Sequence, residues 1–177
     1  TVPRITKTPV GSNFDETDSE AGADPFDLSI GEEVTFRFEI TLPELDLESV
    51  VATDTLPDGL EFISAQFIEA NGTGANAANF SAVSDNGDPE VVTISFGAMN
   101  NPSDGTIGPD DVLVFELTAR VTEDAGLNAG DSLVNMVNLF VDPVGDDPFA
   151  TQMTSATVRV VEPEMTIDKS GPVAMDP

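Results

Sequence analysis

Cysteine, histidine, tryptophan and tyrosine are missing from this chain altogether, and lysine occurs only as Lys7 and Lys169. Each absence removes a class of chemistry. Without cysteine there is no thiol nucleophile and no disulfide, so robustness must come from elsewhere. Without histidine there is no imidazole base, and without either residue no zinc site of the usual kind. Basic residues are scarce as a group: 6 Lys and Arg stand against 33 Asp and Glu, a formal charge of −27. That balance argues against a nucleic-acid partner, which is held by Lys and Arg on its phosphates. Neither a signal peptide nor a hydrophobic span is present, so membrane insertion is not expected. The first residues already read as a strand, and the expectation is a piece of a longer, exported polypeptide.

What remains is an acidic, soluble composition with 40% hydrophobic residues, enough for a core. The surface suits salty surroundings. Apolar residues alternate with period two in segment after segment, and helical stripes are missing. Val34, Phe36, Phe38, Ile40 and Leu42 share one face of the clearest strand, 34–42. Leu113, Phe115, Leu117, Ala119 and Val121 do the same in 113–121. Further strands are expected at 3–8, 49–54, 60–68, 91–97, 132–141 and 152–162. Turn residues separate them, as in Leu56-Pro57-Asp58-Gly59, Asp85-Asn86-Gly87-Asp88-Pro89 and Asn128-Ala129-Gly130-Asp131. Some eight short strands predict an all-β chain, an antiparallel immunoglobulin-like β-sandwich with Greek-key connections. The stretch 69–90, rich in Asn, Ala, Gly and Ser, reads as an inserted loop or weak hairpin. It holds two glycosylation sequons, at Asn71 and Asn79.

Three polar residues fall on the apolar face of their own strands. Lys7 shares parity with Ile5, Asp54 with Val50 and Ala52, and Asn135 with Leu133, Val137 and Leu139. An inward lysine and an inward aspartate are each costly unless paired, so they are expected to meet. Burial makes the lysine lose its proton more easily and the aspartate hold one more tightly. A neutral Lys7 amine could then attack the Asn135 side-chain carbonyl, with protonated Asp54 hydrogen-bonded to that carbonyl and passing protons to departing ammonia. The product is an intramolecular isopeptide bond. By analogy with a disulfide closing a long loop, it would stabilise the fold by about 4 kcal/mol. The alternative is a plain buried ion pair with the asparagine satisfying leftover hydrogen bonds.

These residues also carry a family resemblance. The strand Val34 to Leu42, the element Asp54-Thr55-Leu56-Pro57-Asp58-Gly59-Leu60-Glu61-Phe62, and Gly130 to Val141 closely resemble bacterial surface "conserved repeat" domains. They likewise resemble the related isopeptide-forming domains of fimbrial shafts and collagen-binding adhesins. The resemblance covers nearly all of residues 3–162. It implies a cross-link between a first-strand lysine and a late-strand asparagine, assisted by the acid of the Asp-Thr-Leu-Pro strand: Lys7, Asn135 and Asp54. The late strand departs from the family pattern, reading Val134-Asn135-Met136-Val137-Asn138 where relatives usually show Asn-Thr-Ala. Asn138 is therefore a competing partner, but its parity points it to solvent.

The two lysines sit in similar segments, Arg4-Ile5-Thr6-Lys7-Thr8-Pro9-Val10-Gly11 and Met165-Thr166-Ile167-Asp168-Lys169-Ser170-Gly171-Pro172-Val173. This suggests one repeat, residues 1–162, followed by a linker and the first strand of the next, 163–177. No cofactor is required, and calcium is the candidate one. Its oxygen ligands would come from Asp85, Asp88 and Glu90, and from Asp142, Asp146 and Asp147, with further acidic turns at Asp15, Asp18 and Glu20 and at Asp104, Asp110 and Asp111. The expected role is a structural module of an extracellular fibre, stalk or adhesin at the cell surface, not an enzyme. Its partners would be neighbouring repeats of the same chain or identical subunits. The alternatives are a filament subunit that assembles by strand addition through its terminal segment, and a carbohydrate- or surface-binding module.

Overall fold

The computed structural model describes residues 2–14, 20–123 and 126–162. Ten strands run in chain order: β1 (Arg4–Ser12), β2 (Phe26–Leu28), β3 (Glu33–Thr41), β4 (Asp46–Leu56), β5 (Leu60–Glu69), β6 (Ser81–Ser84), β7 (Glu90–Asn100), β8 (Val112–Val121), β9 (Ser132–Pro143) and β10 (Gln152–Val160). They form two sheets, one ordered β1-β3-β8-β5 and the other β2-β10-β9-β4-β7-β6. Pairing is antiparallel except between β2 and β10. Only β6–β7 and β9–β10 are hairpins within one sheet, and every other connection crosses between sheets. This is the expected Ig-like sandwich with Greek-key connections.

The period-two pattern acts as anticipated. Along β3, Val34, Phe36, Phe38 and Ile40 are fully buried while Thr35, Arg37 and Glu39 turn outward. β8 lies beside it with Phe38 opposite Phe115, and the two rings stack at 4.4 Å with planes 5° apart. Phe96 from the other sheet meets Phe115 at 5.4 Å, which joins the sheets through aromatic contact.

Two strands escape the sequence reading. β2 has three residues, too few to display a period, and is held by Phe26 and Leu28 in the core. β6 lies inside the segment expected to be a loop or weak hairpin. Its Ser-Ala-Val-Ser sequence carries little β propensity, but Phe80, just before it, places its ring 5.5 Å from Phe96 and 6.0 Å from Phe67. One aromatic anchor thus brings an otherwise polar segment onto the edge of β7. The same excursion is tucked in at Gly74, where φ is +71° and a Cβ would lie 2.1 Å from the Asn100 carbonyl oxygen. Residues 163–177, expected to open a second repeat around Lys169, lie outside the described residues, as do Asp15 and Asp18.

The core is expected to be unequal to the outer face in its response to truncation. Phe115→Ala should lower the unfolding free energy by about 3–5 kcal/mol, because Phe38, Phe80 and Phe96 each lose a ring partner. Phe140→Ala, on the outside of β9, should change it by no more than about 0.5 kcal/mol. Denaturant titration of both variants checks this, and similar losses at the two sites would contradict the assigned facing of β8 and β9.

Candidate functional site

Lys7 stands on β1, an edge strand of the four-stranded sheet, at a position between Ile5 and Pro9 that the alternation turns inward. Asp54 stands on β4, and Asn135 on the neighbouring β9, both in the six-stranded sheet. The β4–β9 register sets Asp54 against Val137, which puts Asn135 two residues along on the same inward face, at the diagonal cross-strand position. The three residues therefore meet between the sheets. Asp54 and Asn135 are fully buried, and the Lys7 side chain is inaccessible to solvent.

One carboxylate joins the other two side chains. Lys7 Nζ donates a short hydrogen bond to Asp54 Oδ1, and Asn135 Nδ2 donates to Asp54 Oδ2 at 3.1 Å. The expected Asp54 contact was with the asparagine carbonyl; the structure instead makes it with the amide nitrogen. Asn135 Oδ1 is left as the one buried side-chain polar atom without a hydrogen-bond partner among the described residues. Such an atom is costly in a dry interior. Phe36 and Phe38 flank the amine, with ring centroids 4.9 and 5.0 Å from Nζ.

Desolvation governs the electrostatics. Burial lowers the Lys7 amine from 10.5 to about 8, against the opposing attraction of Asp54. It also raises the Asp54 carboxyl above 3.8, outweighing Lys7 and the hydrogen bond from Asn135. The two groups are pushed toward each other's range. A transfer of one proton from Nζ to the carboxylate converts the ion pair to a neutral amine and a carboxylic acid, without any change in the protons the pair holds.

Other residues singled out in the sequence are placed differently. Asn138 faces outward on β9, opposite Thr53 and Met153 and away from Lys7. Among the described residues no group of three or more His, Cys, Asp or Glu could hold a metal ion. Asp85 uses Oδ1 to accept from the Gly87 and Val91 amides, closing the β6–β7 turn, while Glu90 accepts from the Phe62 amide and the Ser84 hydroxyl. Asp88 is exposed, Asp142 lies opposite Ser49 one residue before the end of β9, and Asp146 and Asp147 are exposed beyond it. Asp111 is buried because Asn101 Nδ2 and the Gly108 amide each donate to it at 2.8 Å. Asn101 gave no sequence signal, since it follows the last residue of a strand rather than breaking an alternation. Of the two sequons, Asn79 is exposed, while the Thr73 hydroxyl beside Asn71 is buried and donates to the Ala70 carbonyl.

No protein-family model matches the chain, and no curated protein does. Solved structures are similar in fold. The major pilin subunit BcpA of Bacillus cereus superposes with a TM-score of 0.62 at 15% identity, over 89% of this chain and 40% of that one. The 35 kDa C-terminal fragment of the major pilin GBS80 of Streptococcus agalactiae gives 0.60 at 16%, over 90% and 56%. The sixth cohesin of scaffoldin B from Acetivibrio cellulolyticus, solved in complex with a dockerin, gives 0.56 at 12%, over 90% and 99%. The chain thus spans about half or less of the two pilin structures and nearly all of the cohesin. What it shares with pilin and cohesin domains is the Ig-like sandwich.

Proposed function

We propose that this chain is a structural module of an extracellular fibre or adhesin, sealed by an autocatalytic isopeptide bond between Lys7 and Asn135. The observation that carries the reading is the bridging carboxylate of Asp54, which holds the lysine nitrogen on one oxygen and the asparagine amide on the other in a solvent-free site. The pilin-like fold and the resemblance of the Asp54-Thr55-Leu56-Pro57 element support the same setting at a cell surface.

The chemistry balances with these residues alone. Lys7 gives one proton to Asp54 and its lone pair attacks Asn135 Cγ, forming the Nζ–Cγ bond. Asp54 passes that proton to Nδ2 and takes the second proton from Nζ, and the Cγ–Nδ2 bond breaks so that the nitrogen leaves as ammonia and Asp54 is left as the neutral acid. A half-turn of the amide would offer Oδ1 to the protonated carboxyl during attack, matching the unpartnered oxygen to the one available donor. The protein acts once on itself.

The consequence is mechanical. β1 pairs with β3 alone on one side, so a pull on its leading end would peel it away. A covalent tie from Lys7 to β9 routes load directly from the first strand into the β9–β10 hairpin. The chain between residues 8 and 134 then bears none of it. Neighbouring repeats or identical subunits are the partners such a module would have in a fibre.

Intact mass of the denatured protein tests the bond. Wild type should be lighter than its sequence by one ammonia, with the peptides carrying residues 7 and 135 joined, whereas Lys7→Ala, Asp54→Ala and Asn135→Ala should each show the full sequence mass. A wild-type mass equal to that of the sequence would sink the proposal and leave a buried ion pair.

A second expectation follows from pH. In Asn135→Ala no bond can form, and the folded Lys7 amine, lowered to about 8, sheds its proton before the unfolded one at 10.5. The unfolded state therefore binds more protons between these values, and stability should rise with pH across about 8 to 10.5, by on the order of 3 kcal/mol. With no His, Cys or Tyr, little else titrates there. Urea unfolding of Asn135→Ala against the Lys7→Met, Asn135→Ala double variant isolates the effect, and parallel pH profiles would refute a depressed lysine.

A further inference from the structure

The outer faces of the two sheets differ in a way that a chain of charge −27 makes conspicuous. On the four-stranded sheet Arg37 lies among Glu39, Glu69 and Glu116, and Arg120 pairs with Glu33 at 2.5 Å. The six-stranded sheet presents none of this across its middle. One cross-strand row reads Met153, Asn138, Thr53, Thr93 and Val83. The next on one side reads Ser155, Met136, Thr55 and Val91. On the other side lie Phe140, Val51, Ser95 and Ser81. Although 22% of the chain is charged, these three rows hold no charge at all. Charges return at the borders, with Asp85 beside Val91 at the β6–β7 turn, Glu48 and Asp142 at one end of the strands and the Arg159–Asp27 pair at the other. The face is apolar as well as neutral: Met153 is 66% exposed, Val83 64%, Met136 40% and Phe140 39%.

We infer that this face is where a second copy of the chain docks, sheet against sheet. Charge selects the face on which two copies can meet. Two copies that approach through the other sheet would press Glu39, Glu69 and Glu116 toward their counterparts, and the loops are acidic too. Only the bare face lets two bodies of −27 each come together without burying carboxylates. Its flat hydroxyl, valine and methionine surface suits packing of one sheet on another at about 10 Å. The size is modest. From residue 134 to 140 the face runs roughly 20 Å, and five strands span roughly 24 Å, on the order of 500 Å² per copy. About 1,000 Å² in total is at the lower limit of specific association, so the pairing is weak, with a dissociation constant on the order of 100 µM. Copies held side by side in a fibre would engage at far higher effective concentration.

Sedimentation velocity on the full chain, from about 10 µM to 1 mM, tests this in 0.1 M and 1 M NaCl. Wild type should pass from monomer to dimer over that range. The transition should move to lower concentration in 1 M salt, where the Debye length shrinks from about 10 to 3 Å and the residual repulsion is screened. Met136→Asp with Phe140→Asp should remain monomeric throughout, as should Ser155→Arg, which guards against misfolding of the first variant. Ile63→Asp, on the other sheet, should dimerise like wild type. A wild type that is monomeric under every condition overturns the inference, and so does a dimer insensitive to the face variants. Retention of a monomeric wild type on an uncharged polysaccharide resin, lost in the face variants, would also overturn it by assigning the face to a glycan.

Discussion

Burial of one carboxylate in the seam between two sheets is the constraint around which this molecule is arranged. Asp54 can sit in a dry core only because Lys7 arrives from the opposite sheet and Asn135 from the adjacent strand, each on a different oxygen. A buried ion pair is weak as a source of stability, since desolvation offsets most of the attraction and well-packed apolar residues often serve better. The same desolvation moves the amine down to about 8 and the acid up, which brings a neutral amine and a carboxylic acid within reach. What is poor engineering for a static core is therefore suitable for a reaction.

The fold supplies the geometry that the chemistry needs. β1 belongs to one sheet, β4 and β9 to the other, so the trio spans the sandwich instead of lying along a single ladder. Around it the apolar pattern is uninterrupted, with Phe36 and Phe38 shielding the amine and Val137, Leu139 and Ala52 lining the strands that carry the other two groups. A chain without cysteine has no disulfide with which to fasten its first strand, and an amide link would do this work without sensitivity to reductants.

The acidic surface has an order that composition alone conceals. Arg37 and Arg120 lie on the outer face of the four-stranded sheet, where they temper neighbouring glutamates, while the six-stranded sheet keeps charges off its centre and pairs its Arg159 with Asp27 at one end. β9 belongs to both stories, with Asn135 pointing into the seam and Met136 and Phe140 pointing out. A period of two lets one strand serve the interior and the exterior separately.

Much of this was legible in the chain. Alternation marked eight of the ten strands within a few residues, because each buries one face and exposes the other. The same alternation drew attention to Lys7, Asp54 and Asn135, since a polar residue at apolar parity stands out against its strand. β2 and β6 were not legible, being too short for a period to register and held by a few apolar anchors, Phe26 with Leu28 in the one and Phe80 in the other, whose contacts come from other strands. Parity also turned Asn138 outward without saying which strands would meet. That Asp54 bonds the amide nitrogen rather than the carbonyl, that Asp85 binds the backbone of its own turn while Glu90 turns to Phe62 and Ser84, and that the uncharged positions of five strands align into one face were decided by register and sheet order alone. Local pattern determines which way a side chain points; only long-range strand pairing determines what it meets.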